Sequence, residues 1–375
     1  MLSIALRIAQ ALSLHIPDPP FPVSPFEREL RTRLWHLLGW LDIQASMDRT
    51  SEPLMQSSWF QFHSISNIDD SKFGLHSAAL IPAEIGETTQ TTLFLILTHA
   101  QCAMRVLDLS KFAEPGVCDV HIRMQVVKNF DQYTKKFIAK CDSDRIALHW
   151  FIKSLRERIC TILLLVALRP LHQNPDFIPL KMKPSRLLHL AAKILEGRKR
   201  MYGDPRVQPW RWTEPLFFPW HALTVALTEL CACAEPSVMA EYWPVVENGF
   251  NCFLELVVDL PQNIFWKPIE NMMRQARTVR DNLLSYDPPN PEFPIIDAEL
   301  TVQPPIISCQ ESWPSQVLYP AESGEFVTSI ERGVTGEREK SVPLWQPVPA
   351  TSEWEEYENV MSELYGAYSS IWTNP

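Results

Sequence analysis

Residues 24–42 read SPFERELRTRLWHLLGWLD, and this stretch decides the fold class. It opens as a helix opens. Ser24 can accept from the free amides of a first turn, and Pro25 suits the first helical position. Glu27 stands three residues past Ser24, the spacing of a capping box. Apolar residues then recur at Phe26, Leu30, Leu34, Leu37, Leu38 and Leu41. Steps of three and four place them on one face, so the spacing predicts an amphipathic helix that buries this stripe. Leu34 and Trp35 are expected in the core. Arg28, Arg31 and Arg33 fall off the stripe and are expected on a solvated basic flank.

Working outward, the chain goes on in the same manner. Upstream, residues 1–15 read MLSIALRIAQALSLH. A secretion signal needs an uninterrupted apolar core behind its positive charge, and Arg7 and Gln10 interrupt this one. Leu2, Leu6, Ala9 and Leu14 fit an amphipathic helix instead. Downstream, further helices are expected from Gly86 (capped by Thr88) to about Phe112, from Val117 to Cys141, and from Asp144 to Arg169, where Pro170 stops the helix. Others are expected over Leu187–Arg200, from Trp220, and near 236–260 and 262–284. The 11 glycines are few, which disfavours a β-sandwich with its many tight turns. The fold class is therefore all-α: a multi-helix domain followed by a disordered acidic tail. No apolar run approaches the roughly 20 residues that cross a bilayer.

A chain of 375 residues could hold two domains, or one large domain with a tail, and 46% hydrophobic content suffices for a sizeable core. Its net charge of −10 is unevenly placed: from Asp287 onward there are 15 acidic and 3 basic residues, which leaves the body near +2. Such a body makes no phosphate-tracking surface by charge alone. The eight cysteines form no C-x-x-C pair, and most sit in apolar runs, as buried reduced thiols do in a cytosolic or nuclear protein.

Several residues invite a functional reading beside a structural one. Asn67-Ile68-Asp69-Asp70 suggests a carboxylate pair for magnesium, but the next position of such a motif is Phe73. Holding backbone amides in a turn, or capping, is the simpler role. His149 beside Trp150 is either a polar contact in a pocket or a satisfied core histidine. Arg198-Lys199-Arg200 is either a short import signal or cations complementing a helix end. Trp210, Trp212, Phe217, Phe218 and Trp220 either line a ligand pocket or fill a helix junction. There is no G-x-S-x-G, H-E-x-x-H, P-loop or G-x-G-x-x-G, and the ten histidines lack metal-ligand spacing. No catalytic, cofactor-binding or metal-binding residue is assigned, and no enzyme is expected.

The order of these motifs resembles the fungal-specific transcription factor domain, the helical regulatory region that follows the zinc binuclear cluster in many fungal regulators. Its signature runs "SPFE-E-RRR-LWW…LD", then "GR", then "P-NIDD". Matching here are Ser24-Pro25-Phe26-Glu27, Glu29, Arg31, Arg33, Leu34, Trp35, Leu41-Asp42, Asp48-Arg49 and Asn67-Ile68-Asp69-Asp70. Thr32, His36 and Asp48 depart from it. The blocks at 141–170 and 187–231 extend the likeness, the latter towards regulators found beside secondary-metabolism genes.

The resemblance implies a nuclear transcription regulator whose region 1–285 restrains, dimerises or senses a signal for a DNA-binding end. In the family a helix like 5–15 lies inside the domain, so Met1 is expected to begin mid-domain, in a truncated or shortened form. Zinc, and DNA with it, is then implied only for an N-terminal cluster, since no six-cysteine basic segment occurs among these residues. A non-DNA-binding interaction protein that pairs with or inhibits an intact regulator is the alternative. Residues 286–350, with eleven prolines and no lasting apolar period, read as a disordered linker. Residues 351–375 interleave glutamates with Trp354, Tyr357, Leu364, Tyr368 and Trp372, the composition of an activation segment that folds on a coactivator. A terminal helix docking on the body is the other reading.

Overall fold

Ser24 starts the helix that the sequence predicts: its Oγ accepts from Glu27 N at 3.2 Å, and the helix runs Pro25–Arg49. The structure, a computed structural model, describes residues 2–49, 53–60, 65–84, 86–108, 119–169, 182, 185–217, 219–257 and 266–285. Among them are nine α-helices and no strand: α1 (Leu2–Ala11), α2 (Pro25–Arg49), α3 (Gln90–Asp108), α4 (Val120–Lys135), α5 (Ala147–Leu168), α6 (Ser185–Gly203), α7 (Trp220–Cys231), α8 (Pro236–Val257) and α9 (Trp266–Leu284). A 3₁₀ segment, Pro205–Phe217, joins α6 to α7. The all-α class is as expected. The linker at 286–350 and the segment at 351–375 lie outside the described residues, as do Cys118, Phe218 and Cys309.

Helices pack largely in chain order. α2 lies on α1 and α3, α3 on α4 and α5, α5 on α6, and α6 on α7 and α8, with α9 closing on α7 and α8. α5 is the spine, and Phe151, Leu155, Leu163 and Val166 along it are fully buried. Most core residues, from Trp40 to Ala276, form one cluster. A smaller cluster under α1 holds Leu6, Ala9, Leu14, Trp35, Met55 and Phe60, as the spacing of the first helix predicts.

The face of α2 is the main correction. Leu34 is 52% exposed and Leu30 38%, whereas Trp35 is fully buried and Arg33 only 6% exposed. The buried residues are Glu29, Arg33, Trp35, His36, Gly39, Trp40, Asp42, Ile43 and Ser46. Physically, α2 serves two cores at once. Trp35 enters the small cluster, while Trp40 and Ile43 enter the large one. Two indoles bury more area than the leucines they displace. Of the polar residues turned inward with them, His36 and Asp42 find partners on α3, while Arg33 pairs with Glu29 on α2 and Asp70 in the following loop. Gly39 lets the two helices cross closely: a Cβ there would collide with Gln101 and come within 2.5 Å of the Phe60 ring.

Smaller differences are local. α3 begins at Gln90, with Thr92 Oγ1 accepting from Thr89 N at 2.9 Å. Thr88 instead donates to Phe137 O at 3.2 Å, tying the start of α3 to the end of α4. Asp119 caps α4 by accepting from His121 N, so that helix starts at Val120. α5 ends at Leu168, before Pro170.

Candidate functional site

Two buried polar regions stand out. The first joins α2, the loop at 65–73 and α3. Asn67 Oδ1 accepts from the hydroxyls of Thr89 (2.7 Å) and Thr92 (3.0 Å), and its Nδ2 donates to Glu87 O at 2.8 Å. Thr91 Oγ1 accepts from Ile68 N at 2.6 Å. Asp69 caps a 3₁₀ turn by accepting from Ser71, which holds its carboxyl below the usual range. Asp70 does not cap: it pairs with Arg33 Nη2 at 2.8 Å, while Arg33 Nε donates to Glu29 at 3.0 Å. Burial pushes the Glu29 carboxyl up, and Arg33 partly offsets it. Deeper in, Arg105 donates to Met55 O (2.6 Å) and Asp42 (3.3 Å), and Asp42 accepts from the amides of Leu54 and Met55. Gln101 Nε2 lies 3.1 Å from His36 Nδ1.

The motif residues of 24–42 and 67–70 are thus a folding device, clasping a loop onto two helices. Arg33 is part of it rather than of a solvated flank. Among the described residues no cluster of His, Cys, Asp and Glu could hold a metal ion.

Other sequence-predicted candidates resolve one by one. His149 accepts from Asp142 N at 3.1 Å, and its Nε2 lies 2.9 Å from Thr88 O, so it is satisfied by backbone. Arg198 is buried and donates to Glu214 at 2.5 Å, which removes it from any exposed basic triplet and from a simple helix-end role. Phe151 stacks on Trp210 at 5.0 Å, and Trp220 meets Phe253 edge-on at 4.2 Å, as a helix junction requires. Trp212 is 69% exposed and joins neither.

The second region is a cleft of about 580 Å³ between α5, α6, α8 and the turn at 204–206. Trp150, Ser154 and Arg158 recur every four residues along α5 and so share the face that lines it. Arg206 pairs with Asp204 at 2.8 Å and lies 4.3 Å over the Trp150 ring. Glu157 and Lys193 are both pushed by burial towards their neutral forms, Glu157 up and Lys193 down, and each partly offsets the other. Burial likewise lowers His189, whose Nδ1 lies 3.1 Å from the Tyr242 hydroxyl. Arg158 is 5% exposed, and its Nε, Nη1 and Nη2 have no hydrogen-bond partner. Its guanidinium sits over the rings of Tyr202 (5.5 Å) and Phe217 (5.9 Å). Burial pulls its pKa down, and the Tyr202 hydroxyl acts against that shift. The cleft therefore offers apolar walls and self-paired charges at the rim, with the Arg158 guanidinium closed off from solvent beside it. Sequence reading does not find it, because its residues come from 150 to 245. The one signal was two arginines, Arg156 and Arg158, in a strongly apolar helix.

No family model matches the chain, and no solved structure does. Among curated proteins, the C6 finger domain transcription factor nscR of Arthroderma benhamiae is 34% identical over 257 residues, covering 67% of this chain and 35% of that protein. The chain is a homologue of C6 finger domain transcription factors. The nscR of Aspergillus fumigatus is 28% identical over 307 residues, 78% of this chain and 38% of the relative. The C6 finger domain transcription factor adaR of Aspergillus niger is 27% identical over 299 residues, 74% and 38%. The chain spans 35% to 40% of the length of the first curated C6 finger relatives it matches.

Proposed function

We propose that this chain is the regulatory region of a nuclear transcription regulator of the zinc-cluster type, and not an enzyme. The observation that carries the reading is the likeness to C6 finger transcription factors across two thirds of the chain. Residues 1–285 form the regulatory body, 286–350 a linker, and 351–375 a segment that engages a coactivator through Trp354, Leu364 and Trp372. Zinc and DNA contacts belong to residues other than these 375, because no six-cysteine segment occurs among them. The body is also a place for self-association into a homodimer. No helix among the described residues is long and apolar enough to cross a membrane. The proposal extends to control of secondary-metabolism genes, supported by the resemblance of 187–231 to such regulators.

Tethering tests the reading. The full chain fused to an unrelated DNA-binding domain should change a reporter at least severalfold over that domain alone. Substituting Trp354, Leu364 and Trp372 by Ala should remove the activating part, because apolar anchors carry helix-in-groove binding. A reporter unmoved in either direction would contradict it.

A further inference from the structure

Among the described residues fourteen large apolar side chains are exposed, and six of them lie between positions 4 and 34: Ile4, Ile8, Leu12, Phe21, Leu30 and Leu34. Ile4, Ile8 and Leu12 stand four residues apart, and Leu12 N donates to Ile8 O at 2.9 Å, so the three form one stripe along α1. Each is more than half exposed. Leu6 and Ala9, on the other side of the helix, face the small core. α1 is therefore apolar on both sides, the pattern of a helix covered all round, yet one side is bare. Arg31 carries the patch onto α2. It donates to Leu12 O at 2.5 Å, its guanidinium lies 5.2 Å over the Phe21 ring, and Leu34 stands one turn further on. The charge here is positive. Residues 1–17 contain no acid, and Arg7 is exposed with no ion-pair partner among the described residues. The nearby acids are already held: Asp18 pairs with Arg28 at 3.2 Å and Glu27 with Arg31 at 3.5 Å.

We propose that this face of α1 and α2 is the dock for residues 351–375 of the same chain, which bind it as an amphipathic helix. The segment carries what the face lacks. Trp354, Tyr357, Met361, Leu364 and Tyr368 recur at steps of three and four, the spacing of one apolar helical stripe. Glu353, Glu355, Glu356, Glu358 and Glu363 bring negative charge, and no Lys or Arg occurs in 351–375 to be repelled by Arg7. Reach is ample. A flexible chain as long as residues 286–350 spans about 45 Å, against a radius of gyration of about 19 Å for a body as long as residues 1–285. Tethering gives the segment an effective concentration on the order of millimolar, which favours it over a second copy in solution. A second copy would also set the positive patch against its own like charge. Docking and coactivator binding compete for the same apolar stripe, so the body holds the segment until a partner takes it. That consequence rests on the reading above, but the docking itself does not.

Hydrogen exchange of the purified full chain, read by mass spectrometry, tests the proposal. The amides of 354–372 should exchange at least tenfold more slowly than in the chain carrying Trp354→Ala, Leu364→Ala and Trp372→Ala, whose segment has lost its anchors. Dilution should not change that protection. Ile4→Glu with Ile8→Glu should abolish it, by removing the apolar face and repelling the glutamates. Both side chains are exposed, so α2 should keep its own protection in this variant. Leu34→Glu supplies a second variant, on a helix anchored separately by the buried Trp35 and Trp40, and should lower the protection at least threefold. Trp212→Glu, at an exposed aromatic on the 3₁₀ segment after α6, should leave it intact. The proposal is overturned by absence of protection in the unaltered chain, or by protection lost on dilution, as a contact between copies would be. Protection that survives Ile4→Glu with Ile8→Glu, survives Leu34→Glu, or disappears in Trp212→Glu also overturns it, because the segment then docks elsewhere. A silent tethered reporter leaves the exchange result standing, and absent protection leaves the reporter result standing.

Discussion

The clasp between α2 and α3 and the cleft between α5, α6 and α8 both bury arginine, and they treat it in opposite ways. In the clasp, Arg33 and Arg105 end on carboxylates and carbonyls supplied by Glu29, Asp42, Met55 and Asp70. Beside the cleft, Arg158 ends on the rings of Tyr202 and Phe217, with its guanidinium nitrogens closed to solvent. The clasp ties its buried arginines to oxygens of the chain itself, although Gln101 Oε1 and Arg105 Nε are left without a hydrogen-bond partner, and it fixes how the helices cross. Arg158 is held instead by aromatic faces, with the Tyr202 hydroxyl favouring its charge. Burial alone does not say how a charge is held, whereas the list of partners does.

The contrast can be broken at the clasp first. Arg105→Met leaves the Asp42 carboxylate buried without its cation, and one partner removed from a buried pair costs about 3–5 kcal/mol. Denaturant unfolding should show that loss. A cost near zero would make the clasp dispensable and the contrast void. The helix beneath it separates two residues that are neighbours in sequence. Trp35→Ala empties a fully buried site and should cost about 3–5 kcal/mol, whereas Leu34→Ala, at a half-exposed position, should stay within about 0.5 kcal/mol. Equal losses would restore the leucine stripe as the buried face.

Acid supplies a control that touches neither region. His99, against Tyr133 and Phe137, is held by burial at a pKa of about 4, and His221, whose Nδ1 is buried without a partner, at about 3. The unfolded chain takes up these protons near pH 6.5, so it binds more protons than the folded chain below that value. Stability is then full above pH 6.5 and falls as pH drops towards 4 and 3. Between pH 7 and pH 5 each histidine should account for about 2 kcal/mol. His99→Phe with His221→Leu should flatten that slope, and an unchanged slope would mean other groups carry it.

How much of this was legible follows from what kind of pattern each feature leaves. The helices show in apolar periods and in caps such as Ser24, which are local. The buried face of α2 does not, because counting leucines ignores that Glu29, Arg33 and His36 can turn inward once a neighbour answers them. The same gap displaced the cap of α3 by one residue, since Thr88 was needed elsewhere, by Phe137. The NIDD loop was read correctly for Asp69, which caps through Ser71 two residues on, and incorrectly for Asn67, whose partners lie at Glu87, Thr89 and Thr92, and for Asp70, whose partner Arg33 is far away in sequence. The cleft was beyond reach for the same reason. It exists only where α5, α6 and α8 meet, and an arginine without a partner is recognised only after every neighbour is known.

The most direct test is the ligand-free stability of Arg158→Met in the full chain, measured by denaturant unfolding beside Arg105→Met. Replacing a buried charge that lacks a partner by an apolar side chain of similar length should stabilise the body by about 1–4 kcal/mol. Arg105→Met should fall by about 3–5 kcal/mol in the same experiment. A loss in Arg158→Met comparable to that in Arg105→Met would show that Arg158 is a structural residue with a partner of its own, and would contradict the distinction between clasp and cleft.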